Sequence, residues 1–324
     1  MAGSEGYQVA KISRTGEVLQ VAPLPTQSSS EMVLVHDCGM SENYLVFLQP
    51  PYAASGAKML GALTGIASFG HSYQWLGSAE RGTWLTILRK SDLSVVHAHL
   101  MDDVAHTGPL SFYHYANAYE DAGLLHVLVC RQIGSREELE ARFSDMYATV
   151  WQGRDFNHIY NYAIDIASGT LKSFEPIVPV ASPSPSAAAR FEGQLPMEFP
   201  VVAPSVAGRR ARYIYTTAFS GAGGGFWDVV QKLDLVTGRV QTRRCKVGRF
   251  STEMEFVPRD DSGGDEDDGW LLFLEYDAAA HRSVLVVLDA ADFDAASPVA
   301  EVRLPFHFPY AFHGTFVPGA EGPT

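Results

Sequence analysis

Apolar and polar residues alternate with period two over short runs along most of the chain, and those runs are rich in β-branched and aromatic residues. Tyr44–Leu48, Leu124–Val129, Arg212–Thr216, Trp270–Tyr276 and Ser283–Asp289 are examples. Period-two patterning puts successive side chains on opposite faces of an extended strand, so each run is expected to be a β-strand. A hairpin unit recurs between such runs. Ile12-Ser13-Arg14-Thr15-Gly16-Glu17-Val18, Ile164-Asp165-Ile166-Ala167-Ser168-Gly169-Thr170-Leu171 and Leu233-Asp234-Leu235-Val236-Thr237-Gly238-Arg239-Val240 are three copies. Leu88-Arg89-Lys90-Ser91-Asp92-Leu93-Ser94-Val95 is a looser fourth. In the three close copies a glycine follows Ser or Thr, where a tight turn needs positive φ. Asp, Ser and Thr can bond the turn backbone. No segment carries a long amphipathic-helix period.

Short strands at recurring intervals predict an all-β chain, and repeated hairpins favour a β-propeller over a sandwich. Two segments read as loops. Ala181–Ser186 is rich in Pro and Ser. Arg259–Gly269 is acidic; its carboxylate spacing lacks the ligand alternation of a Ca²⁺ loop, and it reads as a solvated turn.

Composition narrows the function classes. Hydrophobic residues make up 46% and charged residues 19% of 324 positions, enough to build a core. A net charge of −13 argues against nucleic acid or an anionic membrane surface as the main partner, since both demand a basic footprint. Cys38, Cys130 and Cys245 form no CxxC pair and read as buried thiols in a reducing compartment. There is no run of 18 apolar residues, and Met1–Gly6 lacks the basic and apolar regions of a signal peptide. The Gly221–Gly225 run ends at Phe226, so it is not a dinucleotide-binding fingerprint and reads as a glycine loop.

The 11 histidines form neither HExxH nor zinc-ribbon spacing. A metal site would therefore be assembled from distant positions, which the converging inner strands of a propeller permit. Three histidines follow apolar or aromatic residues: His36 in Val33–Tyr44, His114 in Phe112–Glu120 and His313 in Pro309–Thr315. Taken singly, each reads better as an ordinary core or surface histidine than as a ligand. His97-Ala98-His99 reads as one face of a solvent-facing strand, and neither His71 nor His106 falls in a comparable setting.

Taken together, the three segments resemble signature blocks of the carotenoid cleavage dioxygenase family. His36 to Tyr44 is similar to "HD-F-x-x-T-E-N-Y", with Cys38 and Ser41 departing from it. Phe112 to Glu120 is similar to "F-x-H-x-x-N-A-Y-E". Tyr310 to Phe316 is similar to "P-x-x-F-H-G-x-F/W", apart from the placing of the proline. Met197–Pro200 with Gly208–Tyr213 resembles "EFP…GRRxRY", and Ser251–Arg259 resembles "GEPxFVPR". The blocks keep the family's order from about Tyr7 to the end of the chain.

The resemblance implies a seven-bladed β-propeller, one domain over residues 1–324, with the first blade or blades missing. It implies one non-haem Fe(2+) on histidines, with His36, His114 and His313 as ligands. Glu198 and Glu253 would accept hydrogen bonds from ligand imidazoles, which fixes tautomer and ring orientation. The family uses four histidines, and the first 35 residues here contain none. The chain is thus expected to be a fragment or a shortened relative, with weakened metal binding and impaired activity. The activity implied is dioxygenase cleavage of an alkene C=C bond in a carotenoid, apocarotenoid or stilbene-like substrate, giving carbonyl products. A non-catalytic apocarotenoid-binding propeller and a non-oxidative isomerase on the same scaffold are the alternatives. The expected partners are an apolar conjugated small molecule and O2, with peripheral membrane contact and a monomeric state. The default compartment is the cytoplasm; a plastid is compatible with a transit peptide lost from the N-terminus.

Overall fold

The computed structural model describes residues 6–28, 32–54, 56–65, 73–75, 81–101, 110–132, 157–177, 195–220, 226–259, 264–308 and 313–319. His71, His106, the Ala181–Ser186 loop and the Gly221–Gly225 run lie outside them. The chain forms two compact units. The first is Met1–Phe143 with Asn157–Ile177, and the second is Ser144–Phe156 with Val178–Thr324.

In the first unit, β1 (Gln8–Ile12) and β2 (Val18–Pro23) form a two-stranded hairpin. β3 (Met32–Val33) pairs with β6 (Tyr52–Ala54), and β6 with β7 (Tyr73–Trp75). A four-stranded antiparallel sheet runs in order β4 (Gly39–Met40), β5 (Tyr44–Gln49), β8 (Trp84–Arg89), β9 (Val95–Leu100). The next sheet is the meander β10 (Ser111–Asp121), β11 (Leu124–Gln132), β12 (His158–Asp165), β13 (Leu171–Pro176). In the second unit, β14 (Met197–Val201), β15 (Tyr213–Ala218), β16 (Val229–Asp234) and β17 (Val240–Arg244) form one meander. β18 (Arg249–Pro258), β19 (Gly269–Asp277), β20 (Arg282–Asp289) and β21 (Ala300–Arg303) form another. The all-β expectation holds. Among the described residues the exceptions are a 3-10 turn at Pro204–Val206 and α1 (Gly56–Leu63), inserted between β6 and β7; eight residues containing two glycines are too short to register as a helical period.

Each recurrent hairpin closes as its residues dictate. Gly16, Gly169 and Gly238 take φ of +85°, +72° and +73°. Gly169 N–H donates to Asp165 O and Gly238 N–H to Asp234 O, each at 2.8 Å. In the looser copy Leu93 occupies the same place, at φ +52°, and its N–H donates to Arg89 O at 2.8 Å. Its side chain is buried, and that burial offsets the cost of a left-handed branched residue.

The core of the second unit lies between its two sheets. Tyr215 and Val230 pack on Met254, Phe256, Leu271, Phe273, Val284, Val286 and Leu288. Of the acidic turn, Arg259 and residues 264–269 are described, and three of their carboxylates are engaged where the sequence predicts solvation. Glu266 accepts the backbone N–H groups of Arg212 and Tyr213. Asp267 pairs with the buried Lys232 at 2.6 Å, and Asp268 with Arg259 at 2.7 Å. His97 and His99 also differ from the solvent-facing expectation. Both are half-buried, and His97 Nε2 lies 2.8 Å from Ile166 O, beside the Gly169 turn.

Candidate metal centre

Each four-stranded sheet opens with the strand on or beside which the candidate residues sit. His36 lies three residues before β4, His114 is in β10, Glu198 in β14 and Glu253 in β18. In three of these strands the ladder slips at the candidate residue or directly after it. Phe112 opposes Arg131 but Tyr115 opposes Val129, so Tyr113 and His114 face the single residue Cys130. Glu198 opposes Thr217 and Val201 opposes Tyr215, leaving Phe199 and Pro200 against Thr216. Ser251 opposes Glu275 and Met254 opposes Phe273, leaving Thr252 and Glu253 against Leu274. Each slip is a β-bulge, which bends the strand and re-aims its side chains. Pro200, which cannot donate to a ladder, is the one residue in the sequence that signals a bulge.

In the first unit His36 and His114 meet. Their Nε2 atoms are 3.2 Å apart, with ring centroids at 5.1 Å and planes at 72°. Two unprotonated nitrogens facing at this distance repel, so either a proton or a cation lies between them. Metal–imidazole bonds of about 2.1 Å at about 90° put neighbouring ligand nitrogens about 3.0 Å apart, so the pair fits a shared metal ion.

Signature residues that sequence reading did not single out hold this pair in place. Asp37 Oδ1 accepts Cys38 N–H at 2.7 Å and Oδ2 accepts Tyr115 N–H at 3.0 Å. This fastens the His36 segment to β10. Five residues on, Glu120 takes Ser41 Oγ at 2.6 Å, Asn43 N at 2.8 Å and Asn43 Nδ2 at 3.0 Å. Ser41, in place of threonine, keeps the hydroxyl this contact needs. Partial burial would raise the Glu120 carboxyl. The hydrogen bonds from Ser41 and Asn43, helped by Lys90, outweigh it and hold the pKa below its ordinary value. The two signature blocks of this unit are thus two halves of one hydrogen-bonded latch.

In the second unit, His313 Nδ1 lies 2.6 Å from Glu253 Oε2. A carboxylate there makes Nδ1 the donor and leaves Nε2 as a lone-pair ligand. Phe199, in the bulge of β14 at φ +49°, lies edge-to-face with His313 at 5.6 Å and with Trp227 at 4.9 Å. Glu198 is buried, and its Oε2 accepts Phe199 N–H at 3.0 Å.

Four-stranded antiparallel sheets, one of whose first strands carries a bulged candidate ligand at His114, are the repeating units of the β-propeller class. The chain belongs to the family described as retinal pigment epithelial membrane protein, whose model matches residues 2–318. The apocarotenoid-15,15'-oxygenase of Synechocystis sp. is 28% identical over 296 residues, 90% of this chain and 53% of the relative. The carotenoid 9,10(9',10')-cleavage dioxygenase 1 of Pisum sativum is 27% identical over 94% of this chain and 52% of its own. The solved structure of a Glu150Gln mutant of the Synechocystis apocarotenoid oxygenase matches at TM-score 0.72 and 26% identity. It covers 94% of this chain and 57% of that one. A cobalt-substituted form of that oxygenase matches at TM-score 0.71. The chain spans about half the length of these relatives.

Proposed function

We propose that this chain carries the metal-binding part of an oxygenase that splits a C=C bond of an apolar conjugated substrate, a carotenoid, apocarotenoid or stilbene-like molecule. The observation that carries the reading is the convergent His36–His114 pair at 3.2 Å in a member of this family. In this reading His313 is a third ligand to the same Fe(2+), oriented by Glu253, and Glu198 accepts a hydrogen bond from a ligand imidazole. The units then belong to one propeller domain.

The chemistry supplied by bound Fe(2+) is the activation of dioxygen. Both atoms of O2 pass to the two alkene carbons, giving two carbonyl products with no external reductant. The residues themselves bind and orient. Neutral imidazoles leave the ion its full positive charge, and carboxylates on the far nitrogens fix the tautomers. Beside His36, Leu34, Val35, Phe47 and Phe112 line a small recess of about 10 Å³, room for a single water molecule and not for a polyene. Leu60 and Leu63 of α1 are exposed, which supports peripheral contact with the apolar phase where such substrates dissolve.

The test is to load the purified chain anaerobically with Fe(2+) and add an apocarotenal and O2. Oxygen uptake matched by two carbonyl products supports the proposal. Geometric isomers without oxygen uptake would replace it with the isomerase reading, and tight binding of unchanged substrate with the binding-protein reading.

A further inference from the structure

The geometry points to Tyr113 as a positioning residue for the metal site: its ring holds the His36 imidazole in the orientation that brings His36 Nε2 opposite His114 Nε2. This inference rests on the metal-site reading above and adds a residue to it. His36 lies outside any strand, between β3 and β4, and is exposed, so local backbone structure does little to fix its ring. Tyr113 lies edge-to-face with it, centroids 5.5 Å apart and planes at 81°. That is the geometry in which the ring quadrupoles attract. Tyr113 also lies beside His114, with centroids at 6.5 Å.

The bulge in β10 creates this arrangement. With Tyr113 and His114 together facing Cys130, neighbouring residues need not point to opposite faces, and one strand segment supplies both a ligand and the wall that orients the other ligand. Tyr113 and His36 also share the lining of the recess described above. The argument depends on the ring and not on the hydroxyl, so it separates Tyr113→Phe from Tyr113→Ala.

The experiment is titration of the full chain with Co²⁺, read by calorimetry and by the visible ligand-field spectrum. Wild type is compared with Tyr113→Phe, Tyr113→Leu and Tyr113→Ala, and far-UV circular dichroism checks the fold. An edge-to-face ring contact is worth about two- to tenfold in a binding constant. Tyr113→Ala and Tyr113→Leu are expected to bind about tenfold more weakly with a changed spectrum, and Tyr113→Phe within about twofold of wild type. The leucine variant preserves volume and covers the case in which alanine does not fold. If the alanine or leucine variant matches wild type in affinity and spectrum, Tyr113 positions nothing. If Tyr113→Phe is as weak as Tyr113→Ala, the hydroxyl acts instead of the ring, and the inference is likewise overturned. Wild type that takes up no Co²⁺ would overturn the metal-site reading itself, and the positioning role with it.

Discussion

Replacing Glu120 by alanine removes a carboxylate that receives three hydrogen bonds, from Ser41 Oγ, Asn43 N and Asn43 Nδ2. Hydrogen bonds to a charged group contribute about 1.5–3 kcal/mol each when sequestered. Glu120 is half-buried and Asn43 exposed, so water replaces much of what is lost, and a net cost of about 2 kcal/mol is expected. At about 2–4 °C per kcal/mol for domains of this size, the melting temperature should fall by about 4–8 °C. Glu120→Gln keeps one acceptor oxygen and should cost less. The cost has a stated origin, so a double-mutant cycle with Ser41→Ala should give a coupling of about 1 kcal/mol. The sign of the pH dependence follows from the depressed carboxyl. Its contribution is present above the unfolded carboxyl pKa of about 4.3 and is lost as pH falls through the lower folded value. The gap between wild type and Glu120→Ala should therefore close in acid. Additivity of the two single mutants, or a gap that widens on acidification, would show that the latch does not hold the loop as described.

Gly169 and Gly16 make a paired test. Both take positive φ, but a Cβ at Gly169 would meet His99 Cε1 at 2.6 Å and His97 Cγ at 2.9 Å, whereas at Gly16 nothing lies within 4 Å. Gly16→Ala should cost about 1 kcal/mol for the backbone alone, and Gly169→Ala at least about 1 kcal/mol more; equal melting temperatures would contradict the packing of the two histidines on this turn. His158, at the start of β12, is buried, and desolvation pushes its pKa down to about 3. A depressed histidine contributes fully above the unfolded value of about 6.5, and stability falls by up to about 1.4 kcal/mol per pH unit as pH drops from there toward the folded value. Urea unfolding at pH 7, 6 and 5 should show this slope in wild type and a shallower one in His158→Gln; parallel curves would argue that His158 is not held neutral.

What the sequence disclosed depended on whether the signal was local. The hairpins at Gly16, Gly169 and Gly238 were legible because glycine is placed where φ is positive, and the strand between two turns follows from its alternation. Leu93 carries no such mark; its left-handed conformation is tolerated only because its side chain reaches the core. α1 is one short insertion without a period of its own. The acidic turn looks solvated by composition, yet Lys232, Arg259 and the backbone of Arg212 and Tyr213 occupy its carboxylates. Lys232, Arg212 and Tyr213 are distant along the chain, whereas Arg259 opens the turn itself. The signature blocks drew attention to the histidines and to Glu253. The roles of Asp37, Ser41, Asn43 and Glu120 emerge only once β4 and β10 are side by side. Of the three bulges that aim candidate residues, Pro200 marks one.

The central claim is that His36, His114 and His313 serve one metal ion, and metal stoichiometry read together with metal-edge X-ray absorption tests it most directly. The account predicts one Fe(2+) or Co²⁺ per chain with three imidazole nitrogens in its coordination shell, and loss of one imidazole signal with weaker binding in each of His36→Ala, His114→Ala and His313→Ala. Unchanged metal content and coordination after replacement of any one of the three would contradict it.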